Sequence, residues 1–248
     1  HRDPSNFTPY LSTSRSFAGE SAKIGNWSIP LGGARVDLLR KGVPFWDVLE
    51  QHDIPAYIYQ IPANFPVISK ATKSVSGMGT PDLIGSYGTF TLFTEALKPS
   101  PGNFEGGRIE RVKSIDHVIK GKITGPQNPF KSDGSSSEIE VVINRDPLDQ
   151  VIRVNVSDNE IILKKGEWSE WLPIRFDVMG PFSSVGGMVR LYAQEIHPYL
   201  KLYVSPVNID PMEPILPISS PSNYSKELAE ASGRFYTQGF PADTKALS

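Results

Sequence analysis

The alternation of apolar and polar positions changes character along the chain, and the change divides it. Residues 1 to 42 are polar and broken by Asp3-Pro4, Ile29-Pro30 and Gly32-Gly33, with sustained periodicity only from Ala34 to Arg40. An extended segment held against a surface is the reading there. Beyond Pro44, a residue suited to the first helical position, Phe45, Val48 and Leu49 recur at i, i+3 and i+4, which predicts a short amphipathic helix ending near His52-Asp53. The run Ile54 to Ile61 is almost unbroken in apolar and aromatic residues, the pattern of a strand buried on both faces. Helix then buried strand is half of a βαβ repeat.

From Gly106 to Val204 the period shortens to two. Runs rich in Val, Ile and aromatics recur between turn clusters at Val118 to Ile123, Glu138 to Ile143, Val151 to Val156, Glu160 to Leu163, Trp168 to Phe176 and Met188 to Tyr192. Ile139 to Ile143 and Ile152 to Val156 alternate cleanly, so one face is buried and one is wet. An antiparallel, sandwich-like layer is expected. The last residues return to helical texture, with Ser222 to Glu230 behind Ser and Asn caps and Asp243 to Leu247 opening a further helix. The fold class expected is α/β: a mostly parallel sheet core supplied by 1 to 105 and 205 to 248, interrupted by a β-rich insert or cap at 106 to 204.

Composition sharpens this picture in few places. The 248 residues include 22 prolines, well above the roughly 5% of an average chain, so elements should be short and loops many. Hydrophobic residues at 39% and charged ones at 21% exclude a collagen, a coiled coil and a disordered tail. With 25 Lys and Arg against 27 Asp and Glu, the basic footprint of a nucleic-acid backbone binder is missing. No cysteine is present, which removes Cys-ligated zinc and thiol catalysis. The compartment stays open, because an oxidising one permits disulfides without requiring them, and no apolar stretch is long enough to span a membrane. His1 rather than Met opens the sequence without a signal-peptide pattern, so the chain reads as cut from a longer one.

The sharpest motif is Ser76-Gly77-Met78-Gly79-Thr80-Pro81-Asp82-Leu83-Ile84-Gly85. Two glycines permit close backbone approach, Thr80 can cap, Pro81 suits a first helical position, and unsatisfied N–H groups there would face an anion such as phosphate. The alternative is a glycine turn capped for structural reasons. The motif is neither a dinucleotide fingerprint nor a P-loop. The histidines are His1, His52, His117 and His197, too scattered for a metal pair, and Asp116-His117 reads as a solvated strand end. No Gly-x-Ser-x-Gly elbow and no singled-out carboxylate pair is present. Asn6, Asn26, Asn155 and Asn223 each head an Asn-x-Ser/Thr tripeptide, a pattern expected by chance in so polar a chain. Trp168 and Trp171, three apart, should fall on opposite faces of a strand, one in the core and one exposed; an exposed ring can stack on a sugar, but core packing or a covering role is the preferred reading.

Taken together, His1-Arg2-Asp3-Pro4, Pro9 to Ser12, Pro44-Phe45-Trp46, Pro62-Ala63-Asn64-Phe65-Pro66, Ser76 to Asp82, Ser205 to Pro211 and Gly233 to Gly239 resemble bacterial proteins of the type I phosphodiesterase and nucleotide pyrophosphatase group, in the alkaline phosphatase superfamily. The likeness is weakest in the β-rich region. It implies a parallel-sheet phosphohydrolase core with two divalent metals, usually zinc, and a Thr or Ser nucleophile. Neither the nucleophile nor the ligand motifs of that group occur here, and Asp116-His117 is followed by Val118 rather than Gly. The resemblance therefore implies a middle segment with no catalytic residue and no metal ligand of its own, completed by the remainder of a parent chain. Its expected partner is a phosphate-ester small molecule, met by Gly77, Gly79, Thr80, Asp82, Asn208 and Asp210. Isolated, the segment is expected to be inactive. A rival reading is a non-catalytic β-sandwich module for a glycan or a partner protein, and a third is a glycosidase fragment.

Overall fold

The computed structural model describes residues 14–17, 19–24, 27–30, 35–97, 102–104, 106–179 and 183–238. These form two compact units. One ends at Thr80 and resumes at Ile209; the other runs from Pro81 to Asn208. The helix expected at Asp243 to Leu247, and Asn6 and Asn26, lie outside the described residues.

The first unit begins with four short strands, β1 (Ser14–Phe17), β2 (Ser21–Ile24), β3 (Trp27–Pro30) and β4 (Arg35–Leu38), in which β1 pairs with β4 and β2 with β3, both antiparallel. Helix α1 (Phe45–Gln51) then starts directly after Pro44, as its sequence predicts. Its buried face differs from the expected one. Phe45 is 61% exposed and Val48 42%, while Trp46 is buried with Leu49 against Ala56, Ile58, Ile61 and Ala71. The larger indole takes the interior, and Arg40 lies 4.8 Å over its ring. Strand β5 (Tyr57–Ile61) pairs in parallel with β6 (Lys73–Ser76). One face of β5 meets α1 and the other carries exposed Tyr57 and Tyr59, so the strand expected to be buried on both faces is buried on one. Glu50 at the end of α1 accepts the Ala56 N–H at 2.8 Å and also bonds Thr72, which ties the helix to the starts of both strands.

The second unit is built from β7 (Phe90–Thr94), β8 (Gly102–Phe104), β9 (Gly107–Arg111), β10 (Ser114–Ile115), β11 (Val118–Gln127), β12 (Ser136–Arg145), β13 (Val151–Val156), β14 (Asn159–Lys164), β15 (Leu172–Asp177), β16 (Ser184–Val189), β17 (Leu191–Glu195) and β18 (Lys201–Val204). Strands β10 to β14 form an antiparallel meander in chain order, and a second sheet runs β17-β18-β7-β9-β8, with the hairpin β15–β16 beside them. Asp116 and His117 are the two-residue turn between β10 and β11, at φ of 49° and 65°, the backbone that a primed hairpin turn requires. Alternation in the sequence becomes burial. Ile139, Val141 and Ile143 of β12 and Ile152, Val154 and Val156 of β13 share one core with Phe93, Phe176, Leu191, Leu202 and Val204. Each such side chain contributes about 1.5 to 3 kcal/mol on burial. Gly121 and Gly125 leave room for rings on bare backbone, since a Cβ there would sit 2.5 Å from the Phe93 ring and 2.2 Å from that of Phe176.

The chain then returns to the first unit. Strand β19 (Ser219–Ser220) pairs antiparallel with β6, giving the sheet order β19-β6-β5, and α2 (Tyr224–Ser232) closes at Gly233. Phe65, Ile209 and Ile218 form a separate apolar cluster here.

These pairings overturn the α/β class with its mostly parallel core. Among the described residues only β5–β6 and β7–β9 pair in parallel, two short helices are present, and the fold is β-rich and mainly antiparallel. Extended parallel sheets are usually built with crossover helices, and the segment joining the parallel pair β5 and β6 contains none. Among the described residues no helix is long and apolar enough to cross a membrane.

Candidate functional site

The six candidate residues are divided between the two units. Gly77, Gly79, Thr80 and Asp210 belong to the first unit, Asp82 and Asn208 to the second. In the first unit, Thr80 is fully buried and donates both its N–H (3.0 Å) and its hydroxyl (2.7 Å) to the Gly77 carbonyl, closing a turn with Gly79 at φ +102°. Met78 accepts the Ala63 N–H at 2.8 Å, which joins the turn to the Pro62–Pro66 motif. Both carboxylate oxygens of buried Asp210 accept from Arg234 Nε at 3.1 Å.

No helix begins at Pro81, contrary to the expectation drawn from the capping pattern. Residues 81 to 89 are an irregular loop. Its N–H groups are committed: Asp82 to Ser86 O, Leu83 to Val207 O and Gly85 to Asp82 O, at 2.8, 2.7 and 3.0 Å. The Asp82 side chain, 1% exposed, holds the loop by accepting from Ser86 N (2.7 Å), Thr89 N (3.1 Å) and the Ser86 hydroxyl. Burial raises the Asp82 carboxyl above its ordinary value, and the donors from Ser86, Thr89 and Ile84 oppose that rise. Asn208 is buried as well. Its backbone exchanges two hydrogen bonds of 2.9 Å with Met188, and its amide donates to Pro206 O at 2.8 Å.

These two motif segments frame a cavity inside the second unit. About 300 Å³ in volume, it is lined by Ile84 and Thr89 from the Asp82 loop, Ser205 and Val207 from the Asn208 segment, Thr91 of β7, Gly107 and Arg108 of β9, and Ile123 and Thr124 of β11. Asp82 and Asn208 thus act behind the walls, by fixing the backbone that carries Thr89 and Val207. The wall they support has an apolar part and a part made of hydroxyl groups.

Arg108 supplies the cavity's charge. It is half-buried, its Nη1 donates to Thr124 Oγ1, and no carboxylate among the described residues forms an ion pair with it. Glu110, two residues further along β9, is pushed above the ordinary carboxylate range by burial, with Arg108 the strongest group pulling it back. A half-desolvated guanidinium with donors to spare is a receptor for a planar or tetrahedral oxyanion. Nothing in the sequence singled Arg108 out. One of 25 basic residues, it matters only because β9 and β11 set it beside hydroxyl groups from distant parts of the chain; the neighbouring Gly107, over which the Phe90 ring lies, is the one local sign of close packing.

Trp168 and Trp171 are not placed on opposite faces of a strand. Strand β15 starts after both, and both rings pack against Arg190, at 5.5 and 5.6 Å. The Trp168 ring also lies 4.9 Å from Tyr192 and 5.8 Å from Tyr203, so much of its π surface is already engaged. Among the described residues no three His, Asp or Glu converge to hold a metal ion. No family model, curated protein or solved structure matches the chain.

Proposed function

We propose that this chain is a segment of a metal-dependent phosphoric ester hydrolase, a phosphodiesterase or phosphatase, in which it binds the substrate's anionic group. The observation that carries the reading is Arg108, a guanidinium with no ion pair among the described residues, in a partly apolar and partly hydroxyl-lined cavity framed by two motif segments. The resemblance in sequence supplies the choice of phosphate among oxyanions. The parallel core that the resemblance implies has no part in this reading. No three His, Asp or Glu among the described residues would hold the divalent metals it implies, and the chemistry proposed for this chain is binding: Arg108 and Thr124 present N–H and O–H groups to the anion, and Ile84, Ile123 and Val207 exclude water beside it. Nucleophile and metal ligands belong, in this proposal, to other segments of the parent chain.

Calorimetric titration of the intact protein with inorganic phosphate tests the reading. Arg108→Gln keeps a planar donor and removes the charge, and should weaken binding tenfold or more, about 1.4 kcal/mol. Equal affinity in a folded Arg108→Gln protein would withdraw the proposal. The glycan-binding alternative has the exposed edge of Trp168 as its support, and would show as binding to oligosaccharides lost in Trp168→Ala.

A further inference from the structure

We infer that Thr89 is a specificity-determining acceptor in this cavity, which selects phosphate esters that carry a hydroxyl group near the phosphate, such as polyol or sugar phosphates. The inference rests on the anion-binding reading above and follows from where the hydroxyl protons point. Asp82 is surrounded by donors, from Ser86 N, Thr89 N and the Ser86 hydroxyl, an environment that calls for the acceptor-only carboxylate. A serine has a single hydroxyl proton, and Ser86 gives it to Asp82. Its oxygen can therefore only accept from Thr89 Oγ1, 2.8 Å away, while Gly88 N at 3.2 Å takes its other lone pair. The Thr89 proton is spent on Ser86. All that Thr89 has left for a ligand is lone pairs.

The other hydroxyl groups sort the same way. Ser205 donates to Pro206 O at 3.0 Å and accepts Arg190 N at 2.9 Å, which leaves it one lone pair. Thr124 accepts from Arg108 and keeps its proton. The cavity thus has a donor side, Arg108 and Thr124, and an acceptor side, Thr89 and Ser205. An anion alone satisfies the first and leaves the second facing its own negative charge. A ligand with both an anionic group and an O–H donor satisfies both, and an acceptor left without a donor disfavours the analogue that lacks one.

The test compares sn-glycerol 3-phosphate with propyl phosphate, the same anion on a three-carbon chain with and without hydroxyl groups, by calorimetry on the intact protein. The expected result is glycerol phosphate bound at least tenfold more tightly, with Thr89→Val removing the difference. Thr89 is only half-buried and Val matches its shape, so this variant should fold. Equal binding of both probes, or a preference that survives Thr89→Val, would overturn the inference and leave the anion pocket standing. Binding of neither probe would remove the pocket reading and this one with it.

Discussion

A methyl group on Gly77 would sit 2.2 Å from the carbonyl oxygen of Gln60. The cause is a register shift in the β5–β6 ladder, where Tyr59 pairs with Val75 and Ile61 with Ser76 while Gln60 is skipped at φ +51°. Backbone meets backbone there, and no side-chain rearrangement relieves it. Gly77→Ala should therefore destabilise the protein by about 2 to 3 kcal/mol, at the upper end of overpacking effects, seen as a lower urea midpoint. An unchanged midpoint would mean that this contact is not made.

Gly79, at φ +102°, is subject to a different constraint. The sequence suggests that it serves close approach of a ligand; its backbone conformation predicts that Gly79→Val costs stability of about 1 to 3 kcal/mol through strain. Urea unfolding and phosphate titration of the same variant separate the two roles. A variant with wild-type stability and weakened phosphate binding would restore the ligand role.

Arg145 and Glu95 form a nearly buried ion pair, their side chains 10% and 13% exposed. Glu95 also accepts Leu200 N at 2.8 Å, and Arg145 donates to Ile196 O at 3.2 Å. Arg145→Ala leaves a carboxylate with one backbone donor in a dry site and should cost about 3 to 5 kcal/mol. The double variant Arg145→Met, Glu95→Leu should recover much of that loss; a double variant as unstable as the single one would show that shape rather than charge controls the site.

The same loop region supplies a pH dependence. The Asp149 and then the Leu148 N–H groups, at 2.7 and 2.9 Å, hold the Asp146 carboxyl below its ordinary value of 3.8. For an acid whose folded value is depressed, the stabilisation is present above the unfolded value and is lost as pH falls through the folded one. Asp146→Asn keeps the turn-forming side chain and removes the titration. Thermal unfolding followed from pH 5 downward should show a shallower loss of stability in this variant, and parallel curves for the two proteins would contradict the assignment.

What the sequence made legible, and what it hid, follows from the range of the forces involved. Strands β11 to β14 were readable because burial of Ile119, Val141, Val154 and Leu163 imposes a period of two on neighbouring residues. The parallel core was a false inference from one helix and one strand: Tyr57 and Tyr59 are as apolar as buried residues on any pattern, yet both stay more than half exposed, Tyr59 even with the Phe235 ring 6.4 Å away. Asp82 and Asn208 stood out in sequence as ligand contacts, and they turn out to bind their own backbone. Arg108, Thr89 and Thr124 were invisible because the cavity exists only where β9, β11 and the 81 to 89 loop come together.

Asp210 brings the two roles, ligand contact and internal tie, to a decision. Its side chain is 7% exposed, both oxygens accept from Arg234 Nε, and Oδ1 takes the Met212 N–H at 2.9 Å. A carboxylate so occupied has little to offer a substrate, and its negative charge would repel a phosphate. The pair instead fastens the segment after β18 to the stretch beyond α2, which Gln60 also holds through Tyr236 O at 2.8 Å. Arg234→Lys cannot reproduce the Nε geometry, and should lower stability by about 1 to 3 kcal/mol with no change in phosphate affinity. Asp210→Asn should do the same, since it keeps the shape and loses the charge-assisted bonds. If either variant kept full stability and lost phosphate binding, Asp210 and Arg234 would be ligand contacts after all, and the site would have to be drawn around them instead of around Arg108.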